Sequence, residues 1–335
     1  MSYKAGLVVL SMCSVLHLSG CQNTQSSTKV IAGAFNLSTQ VQKTFINLHA
    51  PDNVIAQSNI QYLQNPNLNL DIYQPETSMA IAPRPTIVWI HGGGWVSGSK
   101  EHAGGYFKRL AAQGYNVVSV QYQFAPDAIY PTQLNQIDAA LTFLNLHAAQ
   151  YGIDSQNMYL AGDSAGANMA SHYAALVTNP DFAKASKIQP VLKPSQLKGL
   201  ILHCGIYDLN SFVNTAPAEI GLIEWGVYNL VQAYTGDKKD DAEFLTRIST
   251  ASNINSKYPP VFISGGNKDF LTKTQSEPFV EKLKANNVPV TAVFYLDSKE
   301  YLVHEYQFMM SKKASQQTFD RTLEFLQQHV QSVKN

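Results

Sequence analysis

Two short stretches framed by glycine carry the residue types needed for nucleophilic attack on a carbonyl. The first is Gly162-Asp163-Ser164-Ala165-Gly166, which follows the apolar run Met158-Tyr159-Leu160-Ala161 and precedes Ala167-Asn168-Met169-Ala170. A serine set between a strand and a helix, with glycine at both ends of the turn, can hold a strained backbone and project its hydroxyl. The second is His91-Gly92-Gly93-Gly94-Trp95, directly after the strand-like Thr86–Ile90. Acyl transfer places negative charge on a carbonyl oxygen, and glycines bare the backbone N–H groups that can stabilise it. Losing one such donor typically costs about 10²–10³ in turnover.

A serine nucleophile needs a base and an acid, expected downstream in the order Asp then His. Asp269 stands just past the apolar run Pro260–Ser264, and His304 a short way past Val290–Leu296. Both fall in loops at strand carboxyl ends, the edge where ligands gather in open α/β sheets. His304 would take the serine proton, with Asp269 fixing the imidazole tautomer and stabilising its cation. Asp208, after the run ending at Cys204, is an alternative acid on a variant topology. Asp297 sits too near its strand end and reads as a turn residue. His172, His203 and His329 fall within helix or strand patterns and read as packed or solvated residues.

These residues must be positioned by the elements around them. Apolar runs at Thr86–His91, Asn116–Gln121, Asn157–Gly162, Gly199–Cys204, Pro260–Ser264 and Val290–Leu296 alternate with helical patterns. The helical patterns are Tyr106–Gln113, Gln133–Tyr151, Ala165–Val177, Gln275–Asn286 and Ser315–Val330. Near-continuous hydrophobicity is what strands covered on both faces require, so the fold class is α/β, a mainly parallel central sheet with helices on both faces. Asn59–Leu63 and Leu68–Tyr73 flank the turn-rich Gln64-Asn65-Pro66-Asn67 and predict an antiparallel hairpin opening the sheet. Residues 206–255 break the alternation and read as a helical cap insertion over the site.

The N-terminus reads differently. Lys4 precedes the apolar run Gly6–Leu18, too short for a stable span, which ends in Leu18-Ser19-Gly20-Cys21. That ending resembles the lipobox of bacterial lipoproteins. It implies a signal over residues 1–20, lipidation of Cys21 and a place in the cell envelope, with Gln22 favouring the outer membrane. A secretory signal with a chance cysteine is the alternative. The polar Gln22–Lys29 suggests a tether, with residues 21–50 an N-terminal extension and 51–335 one α/β domain. Only Cys204 remains in the mature chain, within an apolar run, so no internal disulfide can form and the thiol reads as packing. No Cys or His spacing suggests a metal, and nothing points to a cofactor. Formal net charge is zero with 14% charged residues, leaving no electrostatic footprint for nucleic acid and no polybasic stretch.

The two glycine motifs, with Gln121-Tyr122-Gln123-Phe124-Ala125-Pro126 and Tyr130-Pro131 between them, resemble the hormone-sensitive-lipase-like carboxylesterases. The nearest flavour is the bacterial esterase/lipase branch that includes some feruloyl esterases. The resemblance implies the α/β-hydrolase fold and places the oxyanion donors at Gly93, Gly94 and Ala165. It implies hydrolysis of short-acyl carboxylic esters through an acyl-enzyme, with a polysaccharide acetyl or feruloyl esterase as an alternative. Two departures stand out: Gln123 replaces the family's usual arginine, and Gly-Asn-Lys-Asp replaces Asp-Pro-x-x-Asp around Asp269. Trp95, Tyr122, Trp225 and Tyr228 are candidates for lining the substrate pocket, or else packing aromatics. Asn210, Asn214, Glu219, Glu224 and Asn229 make the cap too polar for a long-chain lipase. A peptidase of related fold is disfavoured by the H-G-G-G loop. A catalytically inactive surface-binding protein on the same fold would lack one triad member, whereas every role here has a candidate. Oligomeric state is open.

Overall fold

The computed structural model describes residues 24–76, 83–215 and 221–331. The signal-like residues 1–20 and Cys21 lie outside them. In chain order the elements are α1 (Thr24–Asn47), β1 (Val54–Gln61), β2 (Asn69–Pro75), β3 (Arg84–Ile90), α2 (Gly104–Ala112), β4 (Asn116–Val120), α3 (Thr132–Leu146) and α4 (Ala148–Tyr151). They continue as β5 (Ile153–Asp163), α5 (Ala165–Thr178), α6 (Pro180–Ser186), β6 (Leu197–His203), α7 (Leu209–Asn214), α8 (Gly221–Thr235) and α9 (Ala242–Arg247). The last are β7 (Val261–Gly265), α10 (Glu277–Ala285), β8 (Val290–Phe294) and α11 (Lys313–Gln331).

The eight strands form one sheet in the order β1-β2-β4-β3-β5-β6-β7-β8. From β4 through β8 every neighbouring pair is parallel, while β2 runs antiparallel to both β1 and β4. The predicted opening hairpin is there, but β1 begins at Val54 rather than Asn59. Its residues are nearly all exposed, because it is an edge strand, so no apolar run marks its start. Side-chain alternation along β3 sends Val88 and Ile90 into the larger core and Ile87 and Trp89 into the smaller one on the opposite face. Both faces of the central strands are thereby covered, which is why they read as unbroken hydrophobic runs. Every residue of α5 is buried, which is consistent with a helix seated in the middle of the core beneath the serine.

Two expectations need correction. The segment read as a polar tether and extension is largely helix α1, which packs against α2 and α8. The single helix expected over Gln133–Tyr151 is broken at His147 into α3 and α4. The region expected to form the cap does hold α7, α8 and α9.

Behind the glycine loop lies a buried ion pair. Lys100 Nζ is 2.8 Å from Asp71 Oδ1, with side chains 5% and 1% exposed. Lys100 also donates to Asn59 Oδ1, and its carbonyl accepts from the Ser119 hydroxyl. The segment following His91–Trp95 is thus pinned to β2, β4 and the bulge in β1. Replacing Lys100 by Met should strand the Asp71 carboxylate away from water. We expect a loss of about 3–5 kcal/mol in unfolding free energy, read from urea denaturation midpoints; a change below about 1 kcal/mol would mean that the carboxylate finds water or another donor.

Candidate active site

The strand–turn–helix around Ser164 is as the spacing predicts. Ser164 has φ 52° and ψ −120°, joins β5 to α5, and is 9% exposed. The turn demands glycine for close approach: a Cβ on Gly166 would stand 1.9 Å from the Ile90 carbonyl oxygen. That contact seats α5 against the end of β3, from which the glycine loop departs.

In the glycine loop, the Gly92 N–H donates to Asp163 Oδ2 at 2.8 Å. Among the described residues, the N–H groups of Gly93, Gly94 and Ala165 engage no protein acceptor. They are the three donors that the resemblance assigns to the oxyanion. The loop is held from below by Tyr122, whose hydroxyl donates to the His91 carbonyl at 2.9 Å while its ring stacks on His91 at 4.3 Å. Burial pushes His91 down to about 4, so the ring stays neutral. Above the loop, a Cβ on Gly94 would meet Leu230 Cδ2 at 2.7 Å and Phe35 Cε2 at 3.0 Å. Helices α8 and α1 thus roof the oxyanion loop together.

His304 Nδ1 lies 2.8 Å from Asp269 Oδ2, and Asp269 Oδ1 accepts from the Leu271 N–H at 3.0 Å. The loops bearing acid and base are laced together by Asn267. Its amide donates to the carbonyls of Ser298 and Glu300, and its oxygen accepts from the Leu302 N–H. Lys268 N–H adds a bond to the Leu302 carbonyl. Asp208, the alternative acid, is instead the N-cap of α7, accepting from the Ser211 N–H at 2.9 Å. Asp297 lies in the turn after β8, as expected. Burial works to lower the pKa of His304. The Cys204 sulfur and the Asp269 carboxylate beside it more than offset that, and the imidazole is held well above the ordinary histidine value. Among the described residues the Ser164 hydroxyl has no hydrogen-bond partner, and contacts between nucleophile and base commonly tighten only with substrate.

The structure redistributes the expected pocket aromatics. Trp95 is fully buried, stacked on Tyr234 at 4.6 Å, and donates to Asn168 Oδ1; it braces the loop rather than facing a ligand. Tyr122 is equally buried, for the reason given above. Tyr228 is exposed on α8 with the Lys239 ammonium over its ring. Only Trp225, half-buried at the rim of the core, keeps the expected role open. Gln123, in the family's arginine position, pairs with Gln136: its N–H and its side-chain oxygen both bond that amide. A neutral amide pair therefore stands in the position of the family's arginine. His172 and His203 are buried and pushed down to about 3 by that burial, in keeping with packed histidines.

Asp163 and Glu305 were not singled out from sequence. Asp163 precedes the nucleophile and Glu305 follows the base. Asp163 is 1% exposed; it accepts from Trp89 Nε1 at 2.8 Å as well as from Gly92. Glu305 adopts φ 60°, and its carboxyl reaches back under the loop: a Cβ on Gly92 would stand 2.4 Å from Asp163 Oδ2 and 3.2 Å from Glu305 Oε1. Burial, then the Asp163 charge, pushes Glu305 above the usual carboxylate range, and burial pushes Asp163 up as well. The chain's one described cysteine, Cys204, is buried, with its thiol pushed up by burial. Two groups have metal-ligand types close together, Cys204/Asp269/His304 and His102/Asp163/Glu305. In the first, Asp269 is bonded to His304, and in the second Asp163 already accepts from Trp89 and Gly92.

A mainly parallel eight-stranded sheet with a serine at the β5–α5 turn and a His–Asp pair beyond β7 and β8 defines an α/β-hydrolase fold. The BD-FAE family profile matches residues 70–283, more than half of the chain, and the chain belongs to that family. It is 24% identical over 240 residues to esterase LipC of Mycobacterium tuberculosis, covering 71% of this chain and 57% of that protein. It is 29% identical to carboxylesterase NlhH of the same species, covering 66% of each. The chain therefore spans between about half and two thirds of the length of such relatives. Its fold matches esterase B of Lactobacillus rhamnosis with a TM-score of 0.79 at 22% identity, over 93% of this chain and 99% of that one.

Glu305→Gln keeps the shape and removes the charge of a carboxyl that burial already pushes upward, so it should keep kcat within about threefold of the parent. Asp163→Asn should lower kcat by about 10–100-fold, because one amide oxygen cannot accept from both Trp89 and Gly92, and Glu305→Ala should lower it similarly through the space opened beneath Gly92. Steady-state kinetics with a soluble ester, and circular dichroism as a folding control, check this. A Glu305→Gln enzyme as impaired as Glu305→Ala would show that the Glu305 charge itself is needed.

Proposed function

We propose that the chain is a serine carboxylesterase acting on short-acyl esters. The observation that carries this reading is Ser164 at its strained turn on the same sheet edge as the 2.8 Å His304–Asp269 pair, beside three uncommitted N–H donors. In the proposed cycle, Ser164 Oγ attacks the ester carbonyl as His304 Nε2 takes its proton. The oxyanion accepts from Gly93, Gly94 and Ala165. The C–O bond to the alcohol then breaks as the imidazolium returns the proton to the leaving oxygen, which gives an acyl-enzyme. Water, deprotonated by the same imidazole, cleaves the acyl-enzyme and regenerates the serine.

A short acyl group is favoured by the roof that Phe35 and Leu230 form over Gly94 and by the small exposure of Ser164. The names of relatives such as LipC and NlhH support ester rather than amide chemistry. The lipobox-like Leu18-Ser19-Gly20-Cys21 supports a lipid-anchored place in the bacterial cell envelope, with the outer membrane favoured.

Hydrolysis of p-nitrophenyl acetate and butyrate should exceed that of octanoate and palmitate. Ser164→Ala and His304→Ala should lose about 10⁴-fold or more in kcat, and Asp269→Asn a comparable amount through the wrong tautomer, whereas Asp208→Ala should cost only about 1 kcal/mol of stability. A folded protein that hydrolyses none of these esters and ignores a fluorophosphonate probe would overturn the reading in favour of an inactive binding fold. The raised pKa of His304 carries its own sign. The base must be neutral, so kcat/KM should fall as pH drops through a midpoint above the ordinary value of 6.5. A midpoint at or below that value, in a pH profile on acetate ester, would remove the influence assigned to Asp269 and Cys204.

A further inference from the structure

Helix α1 has two faces with different fates. On the inner side, Ile31 and Ile46 are buried, Phe35 touches the Gly94 loop, Gln42 Oε1 lies 3.0 Å from His102 Nε2, and Lys43 pairs with Glu101 at 2.7 Å. On the outer side, Val30, Leu37, Val41, Phe45 and Leu48 are 53%, 52%, 56%, 56% and 57% exposed. At 3.6 residues per turn, the first four fall in one stripe along the helix with Ala34 between them, and Leu48 follows directly on the last helical residue, Asn47. Single exposed apolar residues are ordinary, but a contiguous apolar stripe marks a surface that meets something. The helix holds no acidic residue, and its only charged residues are Lys29 and Lys43.

We propose that α1 is an interfacial helix that lays its outer stripe into the phospholipid surface to which Cys21 is anchored. The inference rests on the proposed anchoring for its geometry. Cys21 stands three residues before Thr24, a span of at most about 10 Å, so an acylated cysteine holds the start of α1 at the headgroups. No helix among the described residues is long and apolar enough to cross a membrane, and an apolar stripe flanked by uncharged polar and basic residues suits a helix lying in the interface. Because the opposite face of α1 roofs Gly94, docking would set the oxyanion loop roughly one helix diameter, about 10 Å, beneath the headgroups. Esters dissolved at the membrane surface would then reach Ser164 more readily than those in bulk water.

The test uses the full chain purified from the membranes of a bacterial host, with an environment-sensitive fluorophore on Leu37→Cys or, as a control, Leu146→Cys on α3. Cys204 is buried and stays unlabelled. With vesicles of phosphatidylethanolamine and phosphatidylglycerol, the probe at 37 should shift to shorter wavelength and gain about fivefold protection from an aqueous quencher, while the probe at 146 should not change. Replacing Val41, Phe45 and Leu48 together by Asn should abolish the shift with the helical circular dichroism retained. A probe at 37 that stays in water while the protein floats with the vesicles overturns the proposal. So does protection that appears without lipid and grows with protein concentration, since the stripe would then be covered by a second copy. An intact mass lacking the acyl chains would remove the anchor alone, because the probe still reports whether the helix docks.

Discussion

A carboxylate buried beside the nucleophile is costly unless it is paired, and Asp163 is paired on several sides at once. Its two oxygens take hydrogen bonds from the Trp89 indole and the Gly92 N–H, and the Glu305 carboxyl lies close beside it. Trp89 belongs to β3 and the smaller core, Gly92 to the oxyanion loop, and Glu305 to the turn that carries the base. One buried charge therefore ties together the three segments whose relative position sets the site. It also explains where the first glycine of the loop spends its N–H, which leaves the next two free to meet a ligand.

The same crowding forbids most alternatives. A Cβ at Gly92 would collide with the Asp163 carboxylate, and one at Gly166 would collide with the backbone of β3. The serine's positive φ is tolerated because α5 behind it is buried along its whole length and cannot relax outward. The acid and base loops are fixed separately, through Asn267 and Lys268, so the His304–Asp269 pair does not depend on the cap.

What the sequence made legible follows from this division. Strands β3 to β7 could be placed because they are covered on both faces, and the serine, histidine and acid could be placed because the topology puts them at strand ends. Edge strand β1 carries no apolar run, so its start was missed. Helix α1 is rich in Ser, Thr, Asn and Gln and reads as a tether; it is held by packing on α2 and α8, which no local pattern announces. Trp95 and Tyr122 turned out to be packed beside the loop for a related reason. Helical or motif spacing says that Trp95 and Tyr122 share a region with the site, but not whether they brace the loop or face the ligand. Glu305 was invisible because only its left-handed backbone turns its carboxyl back under Gly92.

The carboxyl groups around His304 bear on how the imidazole can work. Three carboxyl groups, Asp163, Asp269 and Glu305, surround His304; Glu305 Oε1 is 3.9 Å from Nε2. Were all three ionised, their charge would hold the imidazolium so firmly that it could not serve as a base near neutrality. Burial pushes both Asp163 and Glu305 upward, which weakens the negative charge near the nitrogen that must face the serine. The Asp269 charge stays on the opposite nitrogen, where it orients the ring. Cys204 completes the arrangement from beneath: it is buried, with its thiol pushed up by burial and out of a substrate's reach, so the elbow leaves Ser164 as the nucleophile.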